Sequence, residues 1–330
     1  PTRHPRFWFH DGSIVLQVET KLFRVHQTIL ANHSEVFAGL FDVPQPPVVN
    51  GDGGDMVLDG CHIIVLSGDD EKDFEDLLNA VYNPSYFELL RPTATLDEVL
   101  DFISGILRLS TKYLIRNLRQ RCLALLKLKF PTTFDEYNAK ATSRQQSTLG
   151  GRASERYKSD SIMRAISLAH ETNVLTVLPY AYYCVARMSL RRLMKDGEQR
   201  AAKAAREAEL GWKLKCVCLV GRERLRWAEM SVSYSFLMLF QRSPECRSGL
   251  GGGGCAHTRG PQSEWNLISL AKAPNPLRQY TRWERLGVCG VCVEWSKGVH
   301  EDGRREVWER LPSFFELGTW EELERGEGRG

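Results

Sequence analysis

Apolar and polar side chains alternate along residues 13–26, where Ile14, Leu16 and Val18 interleave with Val15 and Gln17. After Glu19-Thr20-Lys21, Phe23 and Val25 interleave with Leu22, Arg24 and His26. Two short period-two runs across a polar break predict a β-hairpin, entered through the turn-forming pair Asp11-Gly12. From Gln27 the period lengthens. Ile29, Leu30 and His33 suit one or two helical turns, and Ser34 is placed to cap a second short helix carrying Val36, Phe37, Leu40 and Phe41. Residues 42–60 hold Pro44, Pro46, Pro47, Gly51, Gly53 and Gly54 and predict a surface loop. The run Ile63-Ile64-Val65-Leu66, bounded by Gly60 and Gly68, predicts a strand buried on both faces. Residues 69–82 predict a helix with an acidic start, Phe74, Leu77, Leu78 and Val81 on one face, and a stop at Asn83-Pro84.

Thr95 and Glu98 have the spacing of a capping box, in which each side chain bonds the other residue's free backbone N–H. Leu96, Val99, Leu100, Ile103, Ile106, Leu107 and Leu109 follow at helical spacing. A further helix is expected over 115–128, with Leu118, Cys122, Leu125 and Leu126 inward and Pro131 as its stop. Residues 140–158 are polar and glycine-containing and predict a linker. Residues 161–170 and 174–188 predict a helical pair broken at Asn173 and Pro179. The segment 191–230 is basic and helix-prone, 232–240 is apolar, and the glycine tract 249–254 is expected to be flexible. In the tail, Trp308, Leu311, Phe314, Phe315, Leu317, Trp320 and Leu323 form an aromatic stripe that could anchor a partner or, the reading preferred here, close the chain's own core. No internal repeat is found.

The order hairpin, two short helices, strand, helix and two more helices resembles a BTB/POZ domain. The residues that carry the resemblance run from Asp11 to Val18 and from Phe23 to Phe37. They continue through Ile63, Val65, Leu66, Ser67, Phe74, Leu77, Leu78, Val81 and Tyr82, then Leu107, Ser110, Lys112, Tyr113, Leu114, Leu118, Cys122 and Leu126. Weaker similarity extends to a large fungal, basidiomycete-type group of BTB proteins. It runs through residues 165–175 and 178–184, Gly221-Arg222-Glu223-Arg224-Leu225, and residues 308–315. The sequence departs from that group at 42–60, 84–94 and 195–215. The resemblance implies an α+β fold, a small sheet with a β-hairpin flanked by helices over residues 8–130. A linker (131–158), a mainly α-helical extension (159–240) and a flexible glycine- and cysteine-containing tail (241–330) would follow. Asp11, His26, Ser34, Phe37, Tyr82 and Tyr113 would be its structural motif residues. A homodimer would bury Phe7, Trp8 and Phe9 together with the first helices.

BTB domains carry no known active site, and family members recruit cullin-type ubiquitin ligases, transcriptional co-regulators or channel partners. The resemblance therefore implies a non-catalytic interaction scaffold or adaptor. Known cullin adaptors often carry a hydrophobic-x-Glu pattern in one helix. Leu77-Leu78-Asn79 stands there in this chain, without the Glu.

Composition narrows the picture modestly. The chain has 330 residues, 42% of them apolar and 26% charged, as in ordinary globular proteins. Its net charge of +3 is too small to argue for nucleic acid or membrane by itself. No run approaches the ~20 apolar residues that span a bilayer. There is no basic-then-apolar leader, and a start at Pro1 instead of Met suggests a trimmed N-terminus. Nine cysteines, an odd number over a long chain, suit a reducing intracellular compartment, cytoplasmic or nuclear. Residues 187–226 are basic and offer an alternative function, a transcription-associated protein with nucleic-acid contact through this segment, but interleaved acids favour a solvated helix face over a nucleic-acid footprint.

Candidate chemistry is sparse. His26 is expected beside Asp11, as a hydrogen-bonded structural histidine and not a catalytic one, since no nucleophile with oxyanion donors accompanies it. Cys289-Gly290-Val291-Cys292 is a CxxC that could form half of a tetrahedral zinc site, with Cys246 and Cys255 as the other half and His257 as a substitute. The competing reading is free thiols or a reversible disulfide. Cys216 and Cys218 read as cysteines packed in a helix. The glycine tract lacks the GK[ST] ending of a phosphate loop. No paired carboxylates, triad or cofactor loop emerges.

Overall fold

The computed structural model describes residues 1–43, 57–149, 157–194, 211–247, 254–255, 258–269 and 273–328. His257, the alanine-rich stretch 201–208, most of the glycine tract and most of the 42–60 loop lie outside the described residues. The chain divides into two compact units, Pro1–Lys129 and Phe130–Arg329.

The first unit is built on a five-stranded mixed sheet of order β1-β3-β2-β5-β4. Its strands are β1 (Thr2–Trp8), β2 (Ile14–Val18), β3 (Lys21–Val25), β4 (Val57–Leu58) and β5 (Cys61–Val65). The predicted hairpin is the antiparallel β2/β3 pair, which opposes Ile14 to Val25 and Val18 to Lys21. Glu19 takes a positive φ of 47° to close the turn between them. β2 is central, with β3 on one side and β5, parallel to it, on the other. Ile14, Val15, Leu16 and Val18 are accordingly buried on both faces.

Two features differ from expectation. β1 falls in a stretch with no apolar alternation to announce it, and it runs parallel to β3 at the sheet edge. Pro5 sits inside the register shift between Arg3 and Trp8, a position an edge strand tolerates because no ladder N–H is needed there. β5 is not buried on both faces: only Cys61 is buried, and Val65 is 47% exposed. β5 lies near the sheet edge, with only the two-residue β4 outside it.

Helices α1 (Gln27–His33), α2 (Glu35–Asp42), α3 (Glu71–Tyr82), α4 (Leu96–Lys112) and α5 (Arg116–Lys129) pack around this sheet. Asp70 caps α3 by accepting from the N–H groups of Lys72 and Asp73. The capping box of α4 forms as the spacing predicts: the Thr95 N–H donates to Glu98 at 2.6 Å and the Glu98 N–H to the Thr95 hydroxyl at 3.3 Å. Phe23, Phe37, Phe74, Leu77, Leu100, Ile103 and Ile106 are wholly buried between sheet and helices. Phe23 meets Phe74 edge-on at 5.0 Å. The 84–94 segment carries a short 3₁₀ turn, Tyr86–Leu89, whose Tyr86 stacks on Phe102 at 4.8 Å.

The second unit is helical. It comprises α6 (Phe134–Leu149), α7 (Ser159–Glu171), α8 (Leu178–Ala186), α9 (Leu190–Met194), α10 (Trp212–Ala228), α11 (Ser235–Met238), α12 (Gly260–Ser269), α13 (Gly290–Glu309), α14 (Leu311–Phe314) and α15 (Trp320–Glu327). Helix α6 occupies most of the expected 131–158 linker: Phe134 and Tyr137, one turn apart, are buried and bind its start to the unit's core. Asn173 breaks the next pair through a positive φ of 54°. Pro179 does not break it. It stands in the first turn of α8, where its missing N–H costs nothing.

The 241–330 segment is not a flexible tail among the described residues. It contains the 20-residue α13 and supplies Trp265, Tyr280 and Leu286 to a core cluster completed by Tyr234, Phe236 and Leu237. Trp308, Leu311, Phe314, Phe315 and Leu323 are buried, so the aromatic stripe closes the chain's own core. Trp320 stacks on Trp308 at 5.5 Å and donates its indole N–H to the Trp308 carbonyl.

Candidate functional site

The motif residues of the first unit form two hydrogen-bonded clamps. Ser34 accepts from the N–H of Phe37, capping α2, and donates to the carbonyl of Tyr113 at 2.6 Å. The Tyr113 ring stacks on Phe37 at 4.3 Å and its hydroxyl donates to buried Asp69, which also receives Lys112 at 2.5 Å. Burial first, then the Asp69 carboxylate, pushes the Tyr113 hydroxyl well above its ordinary range. One clamp thus joins the start of α2, the end of α4 and the approach to α3. The other joins Asp11, His26 and Tyr82. The His26 ring lies 3.3 Å from the Asp11 carboxylate and 3.0 Å from the Tyr82 hydroxyl. That hydroxyl also accepts the His26 backbone N–H.

Neither clamp is arranged for nucleophilic chemistry. The Ser34 hydroxyl is held by its cap and by Tyr113, and no base adjoins it in that network. A shallow groove of about 270 Å³ opens beside it between α1, α2 and the start of α5. Its Glu35 and Arg116 pair with each other at 3.1 Å.

Phe7, Trp8 and Phe9, expected at a dimer face, stand at the end of β1 with their rings turned to both sides of it. Strand alternation sends Phe7 and Phe9 to one side and Trp8 to the other. Phe7 is 4% exposed, within ring contact of His4 and Tyr82. Phe9 stacks on Tyr82 at 5.0 Å. Trp8 packs on Val15, Leu22 and Cys61 beneath the Arg3 guanidinium. Phe7 is covered by its own chain, while Trp8 and Phe9 are only half-buried. Apolar surface is exposed on α1 and α2, and also at Val65, Leu89, Leu114 and Leu128. Each of these helices buries one residue, Leu30 and Phe37 respectively. Val36 is 37% and Val43 56% exposed, and Ile29, Leu40 and Phe41 are half-buried.

In the second unit the basic run 187–226 does not present one solvated face among its described residues. Lys215 and Arg222 are buried. Arg222 donates to the carbonyls of Ala186 and Met188, tying down the end of α8. Arg224 binds the carbonyls of Ser313 and Phe314.

The same unit gathers four cysteines that are far apart in sequence. The sulfur atoms of Cys246, Cys255, Cys289 and Cys292 all lie within 4.8 Å of one another. Cys289 and Cys292 come from the start of α13, Cys289 as its N-cap. Cys246 closes a turn on Ser243, to whose carbonyl its N–H donates at 3.0 Å. Cys255 and Cys292 are buried. Two backbone N–H groups point at sulfur: Cys289 N to Cys255 Sγ at 3.2 Å, and Ser243 N to Cys292 Sγ at 3.4 Å. In the absence of a cation, burial and the adjoining thiols push the Cys292 thiol up to about 12. Of the pair Cys216 and Cys218, Cys218 is buried in α10, and burial pushes its thiol up to about 12. Sequence spacing identifies the CxxC half of the cluster. Cys246 and Cys255, expected as the other half, are brought to it by the fold of the chain between 246 and 289.

No helix among the described residues is long and apolar enough to cross a membrane. Among the curated proteins, no match was found. Residues 9–129 match the BTB/POZ domain family, and with a hairpin-centred mixed sheet wrapped by five helices, this part of the chain is a BTB/POZ domain.

Proposed function

We propose that this chain is a non-catalytic protein-interaction scaffold that self-associates through α1 and α2 of its BTB domain. BTB domains generally serve as interaction modules, which supports the scaffold role. The observation that carries the self-association is the apolar surface of α1–α2, where Val36 is exposed beside half-buried Ile29, Leu40 and Phe41, with Val43 at the end of α2. A surface of this kind, rimmed by polar residues, suits docking. A second copy is the occupant that fits best, because a helix pair related by a two-fold axis presents the same apolar patch to itself. The helical unit that follows is read as the extension shared with the fungal BTB group.

The cullin-adaptor reading is weaker. Leu77 and Leu78, at the position of the adaptor pattern, are wholly buried, and Asn79 receives Arg6 at 3.0 Å. Light scattering on the full chain at micromolar concentration tests the proposal. A dimer is expected for the wild type and a monomer with unchanged melting temperature for Val36→Glu/Val43→Glu. A wild-type monomer, or a dimer indifferent to both substitutions, would overturn it. Co-purification of a cullin at the expense of self-association would favour the adaptor reading.

A further inference from the structure

We propose that Cys246, Cys255, Cys289 and Cys292 hold one structural zinc ion as a tetrathiolate site within the helical unit. Zinc bonded to sulfur at ~2.3 Å in a tetrahedron separates its sulfur ligands by ~3.8 Å. The cluster has this scale: Cys246 and Cys289 sulfurs stand 3.7 Å apart, and all four lie within 4.8 Å of one another. A disulfide requires ~2.05 Å between sulfurs, so 3.7 Å is an unbonded distance. Four sulfurs gathered into one group, from three separate stretches of chain, match a shared central ligand better than two pairwise bridges.

The surroundings suit thiolates. Cys289 and Cys292 occupy the N-cap and first turn of the 20-residue α13, where the helix dipole favours negative charge. The N–H groups of Ser243 and Cys289 are directed at the sulfurs of Cys292 and Cys255, as supporting groups orient metal ligands elsewhere. An all-sulfur tetrahedron selects zinc or iron. The closed, half-buried cluster, with no open ligand position, has the form of a structural zinc site. On binding, the thiols release their protons to solvent and no redox change occurs.

Among described residues 241–247 only Ser243 is buried. The zinc would fasten this stretch to the start of α13.

Elemental analysis of the full chain, purified without a metal-affinity column, tests the site. About one zinc per chain is expected for a single tetrathiolate centre, and none in Cys289→Ser/Cys292→Ser. Should that variant fail to fold, cobalt(II) added to metal-stripped wild-type protein serves instead. Tetrahedral thiolate absorption that zinc then abolishes supports the site. A strong chelator is also expected to make all four cysteines reactive to alkylation. Metal-free reduced protein with no cobalt–thiolate absorption, iron in place of zinc, or a Cys246–Cys289 disulfide in non-reduced peptides would each overturn the proposal.

Discussion

His300 shows how a single buried side chain can set the response of the helical unit to acid. It is 2% exposed. Its Nδ1 faces the Ser233 carbonyl at 2.6 Å and its Nε2 accepts the Tyr280 N–H at 3.0 Å. Those partners require the neutral ring with its proton on Nδ1. Burial accordingly lowers its pKa from 6.5 to about 4. An unfolded chain takes up the proton near the ordinary value and the folded chain only near 4, so between those values protons favour unfolding. The stability is complete above the ordinary value and is lost as pH falls toward 4. At pH 5 the loss from this residue is about 2 kcal/mol. His170, bonded to the Tyr182 hydroxyl at 2.6 Å and shifted downward by burial, acts in the same sense. Denaturant midpoints at pH 7.5 and 5 check the expectation. The drop should be markedly smaller in His300→Gln than in wild type, and an equal drop in both would contradict it.

At the scale of elements, α3 and α4 meet at a glycine. A Cβ on Gly105 would lie 2.8 Å from the Asp73 Cα and closer still to its side chain. Alanine elsewhere in a helix gains about 1 kcal/mol over glycine, but here the backbone of α3 is in the way. Gly105→Ala is expected to destabilise the domain by about 1–3 kcal/mol, the cost of overpacking a tight interface. A lower thermal midpoint checks this, and a raised one would mean the helices separate without penalty. Elements were legible in the sequence where local chemistry was complete. The β2/β3 alternation, the Ser34 cap and the Thr95/Glu98 box each carry their own signal and appear where they point. β1 carried none, because an edge strand containing Pro5 owes its order to pairing with β3. α13 was hidden as well: Gly290, Gly298 and Gly303 dilute its helical pattern. Gly303 is required by packing, since a Cβ there would lie 2.7 Å from the Val232 carbonyl. The four thiols could be named from sequence, the CxxC pair by a local motif and Cys246 and Cys255 only as companions of loose spacing, because tertiary structure alone brings the sulfurs together.

For the molecule as a whole, the division at residue 129/130 predicts that the BTB domain is an independent folding unit. The contacts that make its core are internal to residues 1–129: Phe23 on Phe74, Phe37 on Tyr113, Phe9 on Tyr82, and the buried Asp69 with Lys112 and Tyr113. A domain of this size buries roughly 65–70% of the surface its unfolded chain exposes, enough for cooperative folding without a metal or disulfide. None of the four clustered cysteines lies within it. A fragment of residues 1–129 is therefore expected to unfold in one cooperative transition by circular dichroism, with no change on adding a strong chelator. The same chelator is expected to lower the stability of the full chain, because the zinc would sit in the other unit. A fragment that melts broadly and binds hydrophobic dye at room temperature would show that its helices depend on residues 130–329. A fragment destabilised by the chelator would show that metal contributes outside the cysteine cluster.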